Sequence, residues 1–298
     1  MPARVDKDTA KRGHARRRRL LFILCFGPPF LYLFVFMILP YLNMFQFSFW
    51  KKSGYFTVPE LNIDNYVRFF ENPLYLNTLL SSLEVAIIVT VFANLLGYPL
   101  AFFLVFVARR HRELLYFLII IPLWASFLLR VFIWKLILGR EGIFNSFFMY
   151  IGIIDEPLSL ILYSRFSVCL TLVYIFVPFI ALPVYTALEK IPRDYIEASK
   201  DLGGTPWQTF RRVILPLSLP GVLAGSIFTF SLSFGDFVSP TLLGGPTGLM
   251  ISNVIISQFI TAFEWPLGSV LAVAVLVVIL TCVILASRLE RRRGEQIV

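Results

Sequence analysis

Four side chains stand out because their chemistry conflicts with the stretches that hold them. Glu84, Arg130, Lys135 and Asp236 each fall within or at the end of a long apolar run. In hydrocarbon an unpaired charge costs at least about 2.5–3.5 kcal/mol, so such residues line a wet cavity or pair with one another. Glu84 and Arg130 are expected to pair, with a place on a transport pathway as the equal alternative. Lys135 is near enough to a span end to snorkel to the interface. Asp236 offers more specific chemistry. A carboxylate among aromatic faces recognises an organic ammonium ion through charge and cation–π contact. Trp124, Trp134, Phe237 and Trp265 provide such faces, although each tryptophan taken singly fits an interfacial aromatic belt as well.

Enzyme chemistry has no comparable footing. The chain holds no Gly-x-x-x-x-Gly-Lys-Ser/Thr phosphate loop, so energy for any work must come from a partner or a gradient. Its two histidines, His14 and His111, lie in basic runs, which leaves an intramembrane Ser–His dyad unsupported. No His-Glu-x-x-His zinc motif occurs. Gly235-Asp236 is a faint echo of intramembrane aspartyl proteases, but Ser233 stands where that pattern needs glycine and no second membrane aspartate accompanies it. Cys25, Cys169 and Cys282 are scattered through apolar runs and read as small buried hydrophobes, not as a disulfide framework or a metal site.

The elements that position these groups must be membrane spans. The chain is 58% hydrophobic and only 15% charged. Runs of about 20 apolar residues, enough to cross a hydrocarbon core as helix, recur six times: Leu20–Leu42, Leu79–Val107, Leu114–Leu138, Phe166–Leu188, Leu217–Phe237 and Pro266–Ala286. The runs are continuous instead of alternating, which favours helices over a barrel. The expectation is an all-α membrane protein with six transmembrane helices. Most of the 27 Lys and Arg residues precede the first span, follow the second and fourth, or follow the sixth. By the positive-inside rule both termini are then cytoplasmic. The net charge of +9 is mostly this topological signal, with attraction to anionic membrane lipid added. Nucleic-acid binding by Arg16–Arg19 is disfavoured, because an apolar span begins at once. The first run is too long for a signal peptide core and no small-residue cleavage site follows it, so it reads as an anchor. The expected organisation is a basic head at 1–19, one membrane domain at 20–287 with a polar loop at 189–216, and a basic tail at 288–298. A short surface helix is expected around Ile63–Phe70. An interfacial helix is expected from Ile143 to Ile151, before a turn at Asp155-Glu156-Pro157.

The loop at 189–216 can be built residue by residue. Pro192 suits a helix start. Tyr195, Ala198, Ser199 and Leu202 then share one face, while Glu197, Lys200 and Asp201 lie on another. Gly203 and Gly204 end the helix, since glycine enters the left-handed region without a Cβ penalty. Thr205, Pro206 and Gln208 form an N-cap, a first-turn proline and a capping box for a second short helix with Phe210, Val213 and Ile214 on its apolar face. Leu215-Pro216 leads into the fifth span.

Glu197-Ala198-Ser199, Gly203, Val213 and Leu215-Pro216 resemble, at the same spacing, the "EAA" loop of permease subunits of bacterial ABC importers with the type I fold. Ser199 for the second alanine, Gly204 for a common alanine and Val213 for isoleucine are mild departures. The resemblance extends through Gly97-Tyr98-Pro99-Leu100-Ala101, Pro122-Leu123-Trp124-Ala125-Ser126-Phe127 with Arg130 and Trp134, Pro178-Phe179, Leu182-Pro183, Gly235-Asp236-Phe237, Leu242-Leu243-Gly244-Gly245, Asn253-Val254-Ile255 and Trp265-Pro266. These are similar to spermidine/putrescine permeases more than to sugar, phosphate or metal-oxyanion ones. The resemblance implies a subunit of the bacterial inner membrane whose Glu197–Leu202 helix couples to an ATPase. It implies ATP and magnesium on two partner ATPase subunits and no cofactor in this chain. It further implies a second similar permease, a periplasmic binding protein, and a polyamine-like cargo. Ser126, Arg130, Trp134 and Glu84 join Asp236 as pathway candidates. The alternatives are the same machine importing another small amine, an opine or an amino-acid derivative, or a gradient-driven carrier or channel.

Overall fold

The computed structural model describes residues 21–54, 56–108, 110–157 and 163–294, and side chains as far as Arg288. The basic head, Arg109 and the end of the tail lie outside the described residues. The described chain runs through α1 (Leu21–Ser48), a hairpin of β1 (Lys51–Ser53) and β2 (Phe56–Val58), α2 (Asp64–Glu71), α3 (Pro73–Val107), α4 (Arg112–Trp124) and α5 (Phe127–Leu138). There follow α6 (Ile143–Tyr150), α7 (Arg165–Glu189), α8 (Arg193–Asp201), α9 (Pro206–Phe234), α10 (Ile251–Ile260) and α11 (Trp265–Gly294). The hairpin and α10 were not anticipated from the sequence.

Among the described residues, five helices are long and apolar enough to cross a membrane: α1, α3, α7, α9 and α11. The third expected span, one helix from Leu114 to Leu138, is broken. The axis from Phe127 to Tyr150 turns 93° away from α4. Pro122 removes the amide that would bond the Leu118 carbonyl, and Ala125 and Ser126 then take extended conformations with ψ of 142° and 135°. Prolines shape the other spans differently. α1 and α9 each widen into a π turn, Phe34–Ile38 and Phe210–Ile214, just ahead of Pro40 and Pro216. A proline ring presses on the carbonyl four residues back and offers it no amide; the wider turn relieves both problems. The second helix of the polar loop is therefore no separate short helix. It is the first turns of α9, continuous into the fifth span. The last helix likewise runs past Ala286 to Gly294, where a basic tail was expected.

Helix α7 is the axis of the bundle, packed along α3 and α9. Val168, Leu172, Ile180 and Val184 on it are fully buried. Without a hydrophobic drive between helices in lipid, close backbone approach through small residues carries the packing. A Cβ on Gly97 of α3 would stand 2.9 Å from the Ile180 Cβ. One on Gly221 of α9 would stand 2.6 Å from the Pro183 carbonyl oxygen, and one on Gly225 3.0 Å from the Ile180 Cα. At the end of the bundle that carries the hairpin, Lys52 donates to the Ala262 carbonyl at 2.9 Å and Arg68 pairs with Glu264. The hydrogen bond to Glu264 holds the Arg68 guanidinium above its ordinary range despite partial burial. At the opposite end, Arg112 of α4 pairs with Glu189 and donates to the Tyr185 hydroxyl at 2.6 Å, tying the broken span to the end of α7.

Candidate functional site

Beyond Glu189 the chain leaves the bundle and turns back through α8. Pro192 is the residue before its first turn, as its fixed φ allows. The helix ends in a Schellman turn. Gly203 adopts φ +78°, its amide reaches the Lys200 carbonyl at 2.8 Å, and the Gly204 amide reaches Ser199 at 2.9 Å. The next helix is capped as the sequence requires. The Thr205 side chain accepts from the Gln208 amide at 3.3 Å, and the Gln208 side chain accepts from the Thr205 amide at 2.9 Å. A further strut is not legible in the spacing: the Ser199 and Thr209 hydroxyls bond each other at 2.9 Å across the turn. Together these pin the turn between α8 and α9 into an elbow.

The elbow is seated on the bundle by apolar side chains. Ile191 and Ile214 are buried in a cluster with Leu188, Val184, Ile180 and Ala101. Phe210 stacks on Trp207 at 5.5 Å and meets Tyr98 and Phe102 edge-on at 5.9 Å. Between the two arms lies an open groove of about 850 Å³. Of the residues expected to couple, Ala198, Ser199, Gly203, Val213 and Pro216 line it, with Tyr195, Leu202, Arg212 and Leu217. Glu197 and Leu215 stand outside the groove; Glu197 is solvent-exposed and takes part in none of the ion pairs among the described residues. Leu202 is 89% and Trp207 67% exposed, so the outer surface of the elbow is partly apolar.

The intramembrane candidates do not form one constellation. Glu84 does not pair with Arg130. It accepts from Arg165 at 2.8 Å, and Arg165 also donates to Ser81 at 3.1 Å. The first turn of α7 lies beside Glu84, whereas Arg130 sits past the break, on α5. Asp236 is buried, and its own turn uses both carboxylate oxygens: Val238 donates to one at 3.0 Å and Ser239 to the other at 3.1 Å. Asn253 of α10 joins that turn through the Phe237 carbonyl and Thr241. Among the aromatics, Trp124 is largely exposed beside Phe117, and Trp265 packs on Phe259 and Phe47. Phe237 is half-exposed, and Ser126 lies exposed at the break.

Arg130 and Trp134 are the pair the fold does bring together. They line a cavity of about 440 Å³ between α3, α4, α5 and α7, walled by Leu96, Leu100, Ile119, Pro122, Tyr174 and Pro178. Trp134 meets Tyr174 edge-on at 5.4 Å, and the Arg130 guanidinium lies 5.9 Å from the Phe127 ring centre. Tyr174 was not singled out from the sequence; a phenol in mid-span among aliphatic residues was the available signal. No group of three or more His, Cys, Asp or Glu among the described residues is arranged to hold a metal ion.

Residues 93–295 match the family described as "Binding-protein-dependent transport system inner membrane component". The chain is 36% identical over 268 residues to the spermidine/putrescine transport system permease protein PotB of Escherichia coli (strain K12), covering 89% of this chain and 97% of that protein. It is 34% identical over 255 residues to the inner membrane ABC transporter permease protein YdcU of the same organism, covering 80% of this chain and 79% of that one. Among solved structures, a bacterial ABC transporter involved in the import of the acidic polysaccharide alginate superposes with a TM-score of 0.79, at 18% identity, over 95% of this chain and 99% of that chain. The inward-facing MetNI methionine ABC transporter superposes with a TM-score of 0.57, at 19% identity, over 73% of this chain and 95% of that one. At these identities the structures speak for the fold.

Proposed function

The chain belongs to the family of binding-protein-dependent transport system inner membrane components, and on that premise we propose that it is the permease subunit of an ATP-driven importer of polyamine-like organic cations. It is a multi-pass protein of the inner membrane with the fold of a type I ABC importer permease. The spermidine/putrescine permeases that match it over 89% of its length support the choice of cargo. The chain itself hydrolyses nothing in this reading. ATP and magnesium act on two partner ATPase subunits, a second similar permease completes the pathway, and a periplasmic binding protein delivers the solute. The basic head and tail and the elbow face the cytoplasm. ATPase closure pushes on the elbow, and the spans alternate between inward and outward access.

One observation carries this reading: the turn of the elbow is pinned, and the elbow is seated on the same core that holds α3, α7 and α9 together. Capped helices of this kind also serve in plain connections between spans; the spacing of Glu197, Gly203 and Leu215-Pro216 is what favours a coupling role over that alternative. A stiff, partly apolar projection beside an open groove suits a rigid partner that must transmit force. The test is purification from native membranes followed by reconstitution. A nucleotide-binding subunit should co-purify, and spermidine or putrescine uptake should require ATP and the binding protein. Purification without that subunit, with uptake driven by a gradient alone, would make the chain a carrier and defeat the proposal.

A further inference from the structure

The broken span makes two demands that this chain does not meet by itself. The first concerns the backbone. α4 runs 13 residues from Arg112 and stops at Trp124, about 18 Å along its axis. Ala125 and Ser126 then run extended and exposed before α5 begins. The Ser126 side chain does not cap α5, so the first amides of that helix stay open. Hydrocarbon offers such backbone no partner; protein or enclosed water has to cover it. Trp124 is 78% exposed at the same place, and its indole N–H gains nothing from lipid either. The second demand concerns charge. Arg130, four residues past Ser126, lines the groove between α3, α4, α5 and α7. Its Nε is buried without a hydrogen-bond partner, and it enters none of the ion pairs among the described residues. Guanidinium keeps its charge at any physiological pH. The two acidic residues in the apolar runs of this chain are taken, Glu84 by Arg165 and Asp236 by its own turn. Lipid phosphate is no substitute. Tyr174, on the wall of the groove, lies about 14 Å from one end of α7 and about 22 Å from the other, while headgroups stay outside the hydrocarbon.

We propose that the second permease subunit docks over this break, and that one of its spans brings an Asp or Glu side chain to the Arg130 guanidinium. The inference rests on the importer reading above, which supplies that subunit. A crossing helix meets both demands at once, since it covers the open backbone and delivers the missing charge. Guanidinium takes a carboxylate in a two-pronged, directional pair, and low dielectric strengthens it. The groove, of about 440 Å³, holds a few side chains of a crossing helix, and Leu96, Leu100, Ile119 and Pro178 give them apolar walls. A pair of this kind selects a partner more than it stabilises one, because a subunit without the acidic residue leaves the arginine uncompensated. A second copy of this chain brings no free carboxylate in its spans. The groove therefore favours a different permease over a copy of itself.

The experiment uses the whole complex purified through a tag on this chain. A benzophenone amino acid placed at Trp124 should form an adduct with the second permease on illumination. An adduct with lipid alone, with another copy of this chain, or none at all overturns the docking. Arg130→Glu should lower recovery of the second permease about tenfold or more, because like charges then face each other. Replacing the acidic residues in the spans of the second permease by Lys, one at a time, should restore recovery for one of them. Arg130→Lys should stay near wild type. Arg130→Met, which keeps the apolar stem, repeats the test if glutamate is not tolerated. Wild-type recovery of the second permease in both the Glu and the Met variants overturns the pair, whatever happens to uptake. Recovery is read without ATP or solute. A wild-type complex of both permeases that takes up no amine therefore defeats the importer reading by a separate measurement, and an active importer with no second permease defeats this inference alone.

Discussion

At the elbow, Gly203 and Gly204 return their amides to Lys200 and Ser199, Thr205 and Gln208 cap each other, and Ser199 meets Thr209. At the broken span, the buried Arg130 Nε meets nothing. The elbow resolves its polar groups within about a dozen residues of sequence; the cavity draws its walls from four helices and leaves a charge open. A turn whose polar groups are all met is stiff, since each met hydrogen bond removes a way to yield. At the broken span the walls come from helices far apart in sequence, and their packing leaves the Arg130 Nε without a hydrogen-bond partner.

The largest expected effect falls on both regions at once. Gly221→Leu forces a side chain where a Cβ alone would stand 2.6 Å from the Pro183 carbonyl oxygen. It should cost about 3 kcal/mol or more, seen as a lower melting temperature of the detergent-solubilised complex. A wild-type melting curve would mean that the elbow and the cavity do not share this seam as their support. Gly203→Val separates the regions. Its left-handed backbone makes the change cost about 1–2 kcal/mol, and ATP hydrolysis should continue while uptake falls. The second permease should stay bound in this variant, and normal uptake would show that the stiffness of the elbow is irrelevant. Ser199→Ala strands the Thr209 hydroxyl, which is 3% exposed, at a cost of about 1 kcal/mol. Hydrogen exchange at the Gly203 and Gly204 amides should quicken about fivefold, and equal exchange would remove the strut from the account. The smallest effect belongs to Glu84→Gln. Arg165 is the first residue of α7 and keeps Ser81 as a partner, so its charge can turn to the interface when the carboxylate is lost, at a cost of about 0–1 kcal/mol. A large loss of stability there would mark that pair, not Arg130, as the sensitive charge of the membrane region.

Much of the elbow was legible because its signals are local. Proline before the first turn, two glycines after the last, and threonine and glutamine three apart each report on backbone within hydrogen-bond reach. The spans were legible from length and composition, but their interruptions were not. Pro122 breaks its span, whereas Pro216 sits in a helix that stays whole because the π turn ahead of it absorbs the strain. A proline alone does not say which outcome wins; the neighbours that take up extended or widened backbone decide. Charges were the least legible. Arg165 is 81 residues from Glu84, and Arg130 only 46, yet the nearer residue in sequence is the wrong partner. The local role of Asp236 was not legible either: its carboxylate accepts from the Val238 and Ser239 amides of its own turn, a bond pattern that the apolar sequence around it does not announce.

The glycine seam on α9 has a mechanical consequence. Gly221 lies fifteen residues from Pro206, and Gly225 nine from Phe234, or about 23 Å and 14 Å along the axis. If this rod rocks on the contact with α7, the seam is its fulcrum and the two tips swing in opposite senses. The elbow tip has the longer arm. A broad stroke delivered there arrives on the far side as a shorter, stronger displacement, so the helix works as a reducing gear.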